Sequence, residues 1–134
     1  MRYLLDTHII LWTLSDDEKL PLLVRSLIQN PAHQFFFSTA SVWEVAIKHG
    51  KNPGLMLISG KEYASKCSEM GLVNLPVENK HVCSLETLCR PARALPHNDP
   101  FDRIMLAQAK AEGIVFVTHD SLIPGYNEPC VMSV

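Results

Sequence analysis

The 134-residue chain carries 12 Lys and Arg against 14 Asp and Glu, a formal net charge of -2, so no global positive field draws it to nucleic acid, whose phosphates ordinarily recruit a cationic surplus. Its length suits one domain, residues 1–134, able to bury about two-thirds of its unfolded surface without disulfides or structural metal. Hydrophobic residues reach 47% and charged ones 19%, more apolar content than a small monomer readily hides, which predicts a homodimer, a partner protein, or both.

The four cysteines, Cys67, Cys83, Cys89 and Cys130, are scattered without a C-x-x-C pair, which predicts reduced thiols in a cytoplasmic protein and speaks against sulfur-held metal. The apolar opening is interrupted by Asp6 and His8, and no run approaches the roughly 18 apolar residues of a membrane span, so the expectation is a soluble protein with no membrane association.

Arg2 to Leu5 is a short apolar run ending at Asp6 and reads as a buried strand. Ser15 with Glu18 has the S-x-x-E form of a capping box ahead of a helix over Leu20 to Ile28. Phe35 to Phe37 predicts a second strand, and Ser41 with Glu44 a second capping box before Val45 to Lys48. Helical patterns at 60–70 and 78–89 flank Leu72 to Leu75, whose composition predicts a strand covered on both faces.

A loop from Arg90 to Asn98, with Pro91 and Pro96, delivers the chain to the clearest helix. That helix opens at Asp99-Pro100, runs through Ile104, Met105, Leu106 and Ala109, and stops at Gly113. Arg103 and Lys110, seven apart, leave it only a narrow wet stripe. Ile114 to Val117 predicts a further strand, and Cys130 to Val134 a weak last one. Strands alternating with helices imply right-handed crossovers, hence an α/β fold with a central parallel sheet of four to five strands between helical layers.

In such sheets the ligand site lies beyond the carboxyl ends of the strands, and there the residues are acidic. Asp6 follows the first strand, Asp120 follows Ile114 to Val117 after Thr118 and His119, and Glu44 lies just after the second strand. Asp99 and Asp102 share a face at the start of the late helix, where its positive dipole end favours anions. Carboxylates gathered there would repel by several kcal/mol per close pair, on the order of the Coulomb energy at intermediate dielectric. A cation must offset this, and hard oxygen donors without a cysteine or His-pair motif favour Mg²⁺ or Mn²⁺ over zinc.

The segments Leu4-Leu5-Asp6-Thr7-His8, Ser41-Val42-Trp43-Glu44-Val45-Ala46, Asp99-Pro100-Phe101-Asp102-Arg103 and Val117-Thr118-His119-Asp120 together resemble the PIN-domain signature, in order and at similar spacing across essentially the whole chain. Within that family the chain is most similar to VapC-type toxins of toxin–antitoxin pairs. The resemblance implies a PIN-like three-layer α/β/α fold, a Mg²⁺-dependent endoribonuclease acting on RNA, and a cognate antitoxin. It also implies roles: Asp6, Asp102 and Asp120 as metal ligands, and Glu44 as the group that positions or deprotonates the attacking water. Asp99 is an extra acid of less defined role, and Thr7 and Thr118 would support the acids from behind.

Each acid also has a plain structural reading. Asp99 before proline is an ordinary N-cap, Asp102 suits the third helical position, Glu44 can close a box with Ser41 or pair with Lys48, and Asp6 can end a turn. His8, His97 and His119 invite a mixed His/Asp zinc site, against which stands the lack of any H-E-x-x-H or H-x-H motif. Trp12, Trp43 and Phe101 read as core at helical spacing. Lys48, Lys51, Arg90, Arg93 and Arg103 are the candidate phosphate contacts. Two alternative functions share this fold: a PIN-like scaffold without chemistry, and an aspartyl-phosphate phosphatase, which usually has a second Asp where this chain has His8.

Overall fold

The computed structural model describes residues 1–134. Its strands are β1 (Arg2–Leu5), β2 (Gln34–Ser38), β3 (Val73–Leu75), β4 (Val115–Thr118) and β5 (Val131–Ser133). They form one sheet in the order β3-β2-β1-β4-β5, every neighbouring pair parallel. Parallel pairing requires crossovers, supplied by α1 (Thr7–Leu14), α2 (Leu22–Ile28), α3 (Thr39–Lys51), α4 (Gly60–Glu69), α5 (Asn79–Ser84) and α6 (Pro100–Glu112).

Side-chain alternation along the strands divides the core into two. Tyr3, Leu5, Phe35, Phe37 and Val117 point to the face covered by Ile9 and Ile10 of α1, Val24 of α2, Val45 of α3 and Tyr63 of α4. Leu4 and Phe116 point to the opposite face, against Met105, Leu106 and Ala109 of α6. These are the three layers the sequence implied. Gln108 pins α6 to the sheet, accepting from Ser38 Oγ and donating to the carbonyls of Leu75 and Pro76, which satisfies a fully buried amide.

Three local expectations are corrected. Ser15–Glu18 does not start a helix: Asp6 caps α1 nine residues earlier by accepting from Thr7 N, Ser15 ends α1 with its hydroxyl on Leu11 O, and α2 begins only after Pro21. Ser41 and Glu44 are not a capping box either. Ser38, the last residue of β2, caps α3 through Ala40 N, so the helix starts sooner and turns Ser41 and Glu44 into the buried interior. β3 is an exposed edge strand, with Val73 40% exposed, because nothing pairs beyond it. The helix from Asp99 forms as expected, with Asp99 accepting from Phe101 N and Asp102 N and Gly113 closing it at φ 66, a left-handed conformation glycine adopts without the Cβ penalty.

Candidate active site

Chain order runs outward from β1 through β2 to β3, then returns across the sheet to β4 and β5. The order therefore reverses between β1 and β4, and crevices open at the carboxyl ends of strands at such a switch point. A cleft of about 290 Å³ lies there, lined by Asp6, Glu44, Asp99, Asp102 and Asp120 together with His8, Trp12, Lys48 and His119. All the acids singled out in the sequence meet in it.

Asp6 sits where β1 becomes α1, and its backbone N–H extends the ladder to Val117 O at 3.0 Å. Its carboxylate is buried and held twice, Oδ1 by Thr7 N at 2.7 Å and Oδ2 by Thr118 Oγ1 at 2.6 Å. Burial raises its pKa first, the Thr118 and Thr7 hydrogen bonds oppose that, and the Glu44 charge adds to it.

Glu44 is also buried. Its Oε1 accepts from Thr7 Oγ1 at 2.7 Å, and Oε2 accepts from Lys48 Nζ at 2.5 Å. An ionised carboxylate only accepts, so the hydroxyl chain behind it has one direction. Tyr63 OH donates to Ser41 Oγ, Ser41 to Thr7 Oγ1, and Thr7 to Glu44, with contacts of 2.5, 2.8 and 2.7 Å. Burial keeps the Tyr63 phenol far above its ordinary pKa and hence a donor.

Asp102, on the first turn of α6, is pushed up to about 8, chiefly by burial and then by the charges of Asp6, Asp99, Asp120 and Glu44. One neighbour is His97, whose Nε2 lies 3.1 Å from Asp102 Oδ2; burial, ahead of the surrounding charges, lowers the His97 pKa. Asp120 follows β4, its Oδ1 accepting from Leu122 N at 2.7 Å. Lys48 is the one Lys or Arg lining the cleft; burial would lower its pKa, but Glu44, Asp99 and Asp102 raise it.

This excess of negative charge is an environment that favours a cation. Oδ1 of Asp102 and Oδ2 of both Asp99 and Asp120 accept no hydrogen bond from the protein, and such hard donors fit Mg²⁺ or Mn²⁺. Asp99 is a helix cap through Oδ1 and lines the cleft at the same time, so capping leaves its Oδ2 free at the cleft.

The basic and aromatic expectations fare unevenly. Arg90 is tied to the carbonyls of Leu95 and Leu122 and lies 4.7 Å over the Tyr126 ring, a structural engagement. Trp43 is not core but 61% exposed, edge-on to Phe101, because the earlier start of α3 turns it outward. Trp12 stands at the cleft with the His119 ring 5.3 Å away. Sequence reasoning missed Tyr63 and Tyr126 entirely. They lie in separate helical segments, 19 residues from Glu44 and 29 from His97 respectively, and no local pattern signals such meetings.

Against known proteins, the family model described as PIN domain matches residues 3–126. Among solved structures, the chain is similar to VapBC2 from Rickettsia felis, determined bound to a DNA fragment from their promoter, with TM-score 0.65 and 17% identity over 100% of this chain and 98% of that one. It is also similar to FitAcB from Neisseria gonorrhoeae, with TM-score 0.55 and 16% identity over 92% of this chain and 89% of that one. No curated protein matches it in sequence.

Proposed function

The chain belongs to the PIN-domain family, and from that premise we propose that it is a Mg²⁺- or Mn²⁺-dependent endoribonuclease, the VapC-type toxin of a toxin–antitoxin pair. The observation that carries this reading is the convergence of Asp6, Glu44, Asp99, Asp102 and Asp120 on one cleft, with Asp102 pushed to about 8 by burial and its acidic neighbours. A divalent ion there would supply charge neutralisation and Lewis-acid polarisation of a phosphodiester.

Asp6, Asp102 and Asp120 are the residues assigned to hold the ion. Thr118 and Thr7 fix Asp6 by donating to its two oxygens, so its carboxylate is oriented before any ligand arrives. Glu44 orients the attacking water and accepts its proton, a role that needs a steady carboxylate. Thr7 and Lys48 keep it steady from two sides. Water adds to phosphorus, the bond to the 3′-oxygen of the ribose breaks, that oxygen takes a proton from solvent, and the products carry a 5′-phosphate and a 3′-hydroxyl. Lys48, at the cleft wall, offers the approaching phosphate its nearest cation.

A protein partner is supported by the apolar surface. Leu55 and Leu57 are each at least 80% exposed, and a groove of about 500 Å³ along Leu55 to Ile58 shares His8 and Trp12 with the acidic cleft. Contiguous apolar surface of this kind marks an interface, assigned here to the cognate antitoxin, with a homodimer the second expected assembly. No helix is long and apolar enough to cross a membrane, and a cytoplasmic setting accords with four free thiols.

The test is cleavage of a mixed RNA pool by the purified chain with Mg²⁺, with EDTA, and after Asp6→Asn. Cutting should require the ion and vanish in the variant. Cleavage that persists in EDTA or in Asp6→Asn would remove this mechanism.

A further inference from the structure

The Arg90-to-Asn98 loop ends in a buried imidazole that the mechanism above leaves without a task. His97 is 8% exposed and both ring nitrogens are engaged: Nε2 with Asp102 Oδ2 at 3.1 Å, and Nδ1 with the Tyr126 hydroxyl at 2.8 Å. We propose that His97, held by Tyr126, is a positioning residue for the metal site: it fixes Oδ2 of Asp102 by hydrogen bond and so presents Oδ1 to the cation. This inference rests on the metal-dependent reading of the cleft.

The protons set the direction of the string. A carboxylate binding a cation is ionised and can only accept, so Nε2 carries the hydrogen and Nδ1 is the bare nitrogen. Tyr126 then donates to Nδ1, sharing its one hydroxyl proton with the His97 carbonyl at 3.2 Å. The carboxylate selects the tautomer, the tyrosine matches it, and the imidazole fixes one carboxylate oxygen.

The far end of the string is anchored. The Arg90 guanidinium lies 4.7 Å from the Tyr126 ring centre and donates to the carbonyls of Leu95 and Leu122. A Cβ at Gly125 would come within 2.8 Å of that guanidinium, so glycine next to Tyr126 is what lets Arg90 lie there. The loop before α6 and the turn after β4 are thereby fastened together behind Asp102.

Direct ligation by His97 is the rival, because ligand atoms of His97, Asp102 and Asp120 all lie within 4.8 Å of one another. It would cost the imidazole one of its two hydrogen bonds, and release Asp102 Oδ2 from its only protein partner. Positioning keeps both bonds and leaves Oδ1 of Asp102, which has no protein donor, for the ion.

The experiment is Mn²⁺ titration of the full-length protein by electron paramagnetic resonance, in wild type, Asp6→Asn, His97→Leu, His97→Gln and Tyr126→Phe, with melting temperature recorded in EDTA. Glutamine keeps an N–H near the Nε2 position; leucine does not. The expected result is Mn²⁺ affinity reduced about 10- to 100-fold in His97→Leu, the loss usual for an outer partner of a metal ligand. Recovery to within about threefold is expected in His97→Gln, and an intermediate loss in Tyr126→Phe, which leaves the ring packing in place should His97→Leu melt early.

Wild-type affinity in both His97→Leu and Tyr126→Phe would overturn the positioning role, and so would a failure of folded His97→Gln to recover. Electron-spin-echo modulation from a directly bound imidazole nitrogen, lost on His97 substitution, would establish ligation instead. If wild type binds no Mn²⁺, or Asp6→Asn binds it equally well, the metal reading itself falls and this inference with it.

Discussion

Replacing Asp102 by Asn removes a charge from the crowded cleft, and its effect on stability can be worked out from the site. The Asp102 pKa stands at about 8 against an ordinary 3.8. The folded chain therefore holds more protons than the unfolded one between about pH 4 and pH 8, and stability falls as pH rises through that window. At about 1.4 kcal/mol per pH unit the ceiling on this loss is near ~6 kcal/mol. The cleft is open to water, which lessens both the burial penalty and the repulsion and brings the loss down to about 2 kcal/mol. Without divalent ions, Asp102→Asn should be more stable than wild type by about that amount at pH 8, a rise of roughly 4–8 °C in melting temperature. The gap should close towards pH 4, where wild-type Asp102 is neutral. Added Mg²⁺ should reverse the order, since ion at a hundred times its Kd stabilises the wild type by about 2.7 kcal/mol and the variant little. Differential scanning fluorimetry at pH 5 and pH 8, with EDTA and with Mg²⁺, reads all four conditions. A variant no more stable than wild type at pH 8 without ion, or equally stabilised by Mg²⁺, would refute the account of the acids as mutually repelling ligands.

Tyr63→Phe removes the first donor of the hydroxyl chain into Glu44; it should destabilise by about 1 kcal/mol in denaturant titrations and lower kcat on RNA with KM nearly unchanged. Gly113→Ala places a Cβ at φ 66; it should lose about 1 kcal/mol of stability while cleavage at 25 °C stays at the wild-type rate, separating fold from site.

What could be read in the sequence is what local chemistry encodes. β1, β2 and β4 are short apolar runs because they are covered on both faces, and Asp6 marks the first strand's end by contrast with them. Asp99-Pro100 and Gly113 bracket α6 because caps are local devices. α1 stayed hidden, since Thr7–Leu14 is apolar on nearly every side and carries no amphipathic period to set it apart from β1. The S-x-x-E patterns misled for the opposite reason. Ser15–Glu18 has the spacing of a cap, but Asp6 and Pro21 already determine where the helices around it begin. In the site, the acids were legible beside strand ends and at the start of α6, and so were Thr7 and Thr118 next to them. Tyr63 and Tyr126 were not, because they reach Glu44 and Asp102 only through tertiary packing, Tyr126 by way of His97, which the sequence offered only as a candidate zinc ligand.

The pairing of β1 with β4, Leu5 opposite Val117, bears on when the acidic cleft can form. Asp6 and Asp120 stand 114 residues apart in the chain, so the acids cannot gather until that whole stretch is made and the two strands have met. Joining strands so distant in sequence is also a slow step in folding. Until that pairing is made the cleft lacks its full set of acids.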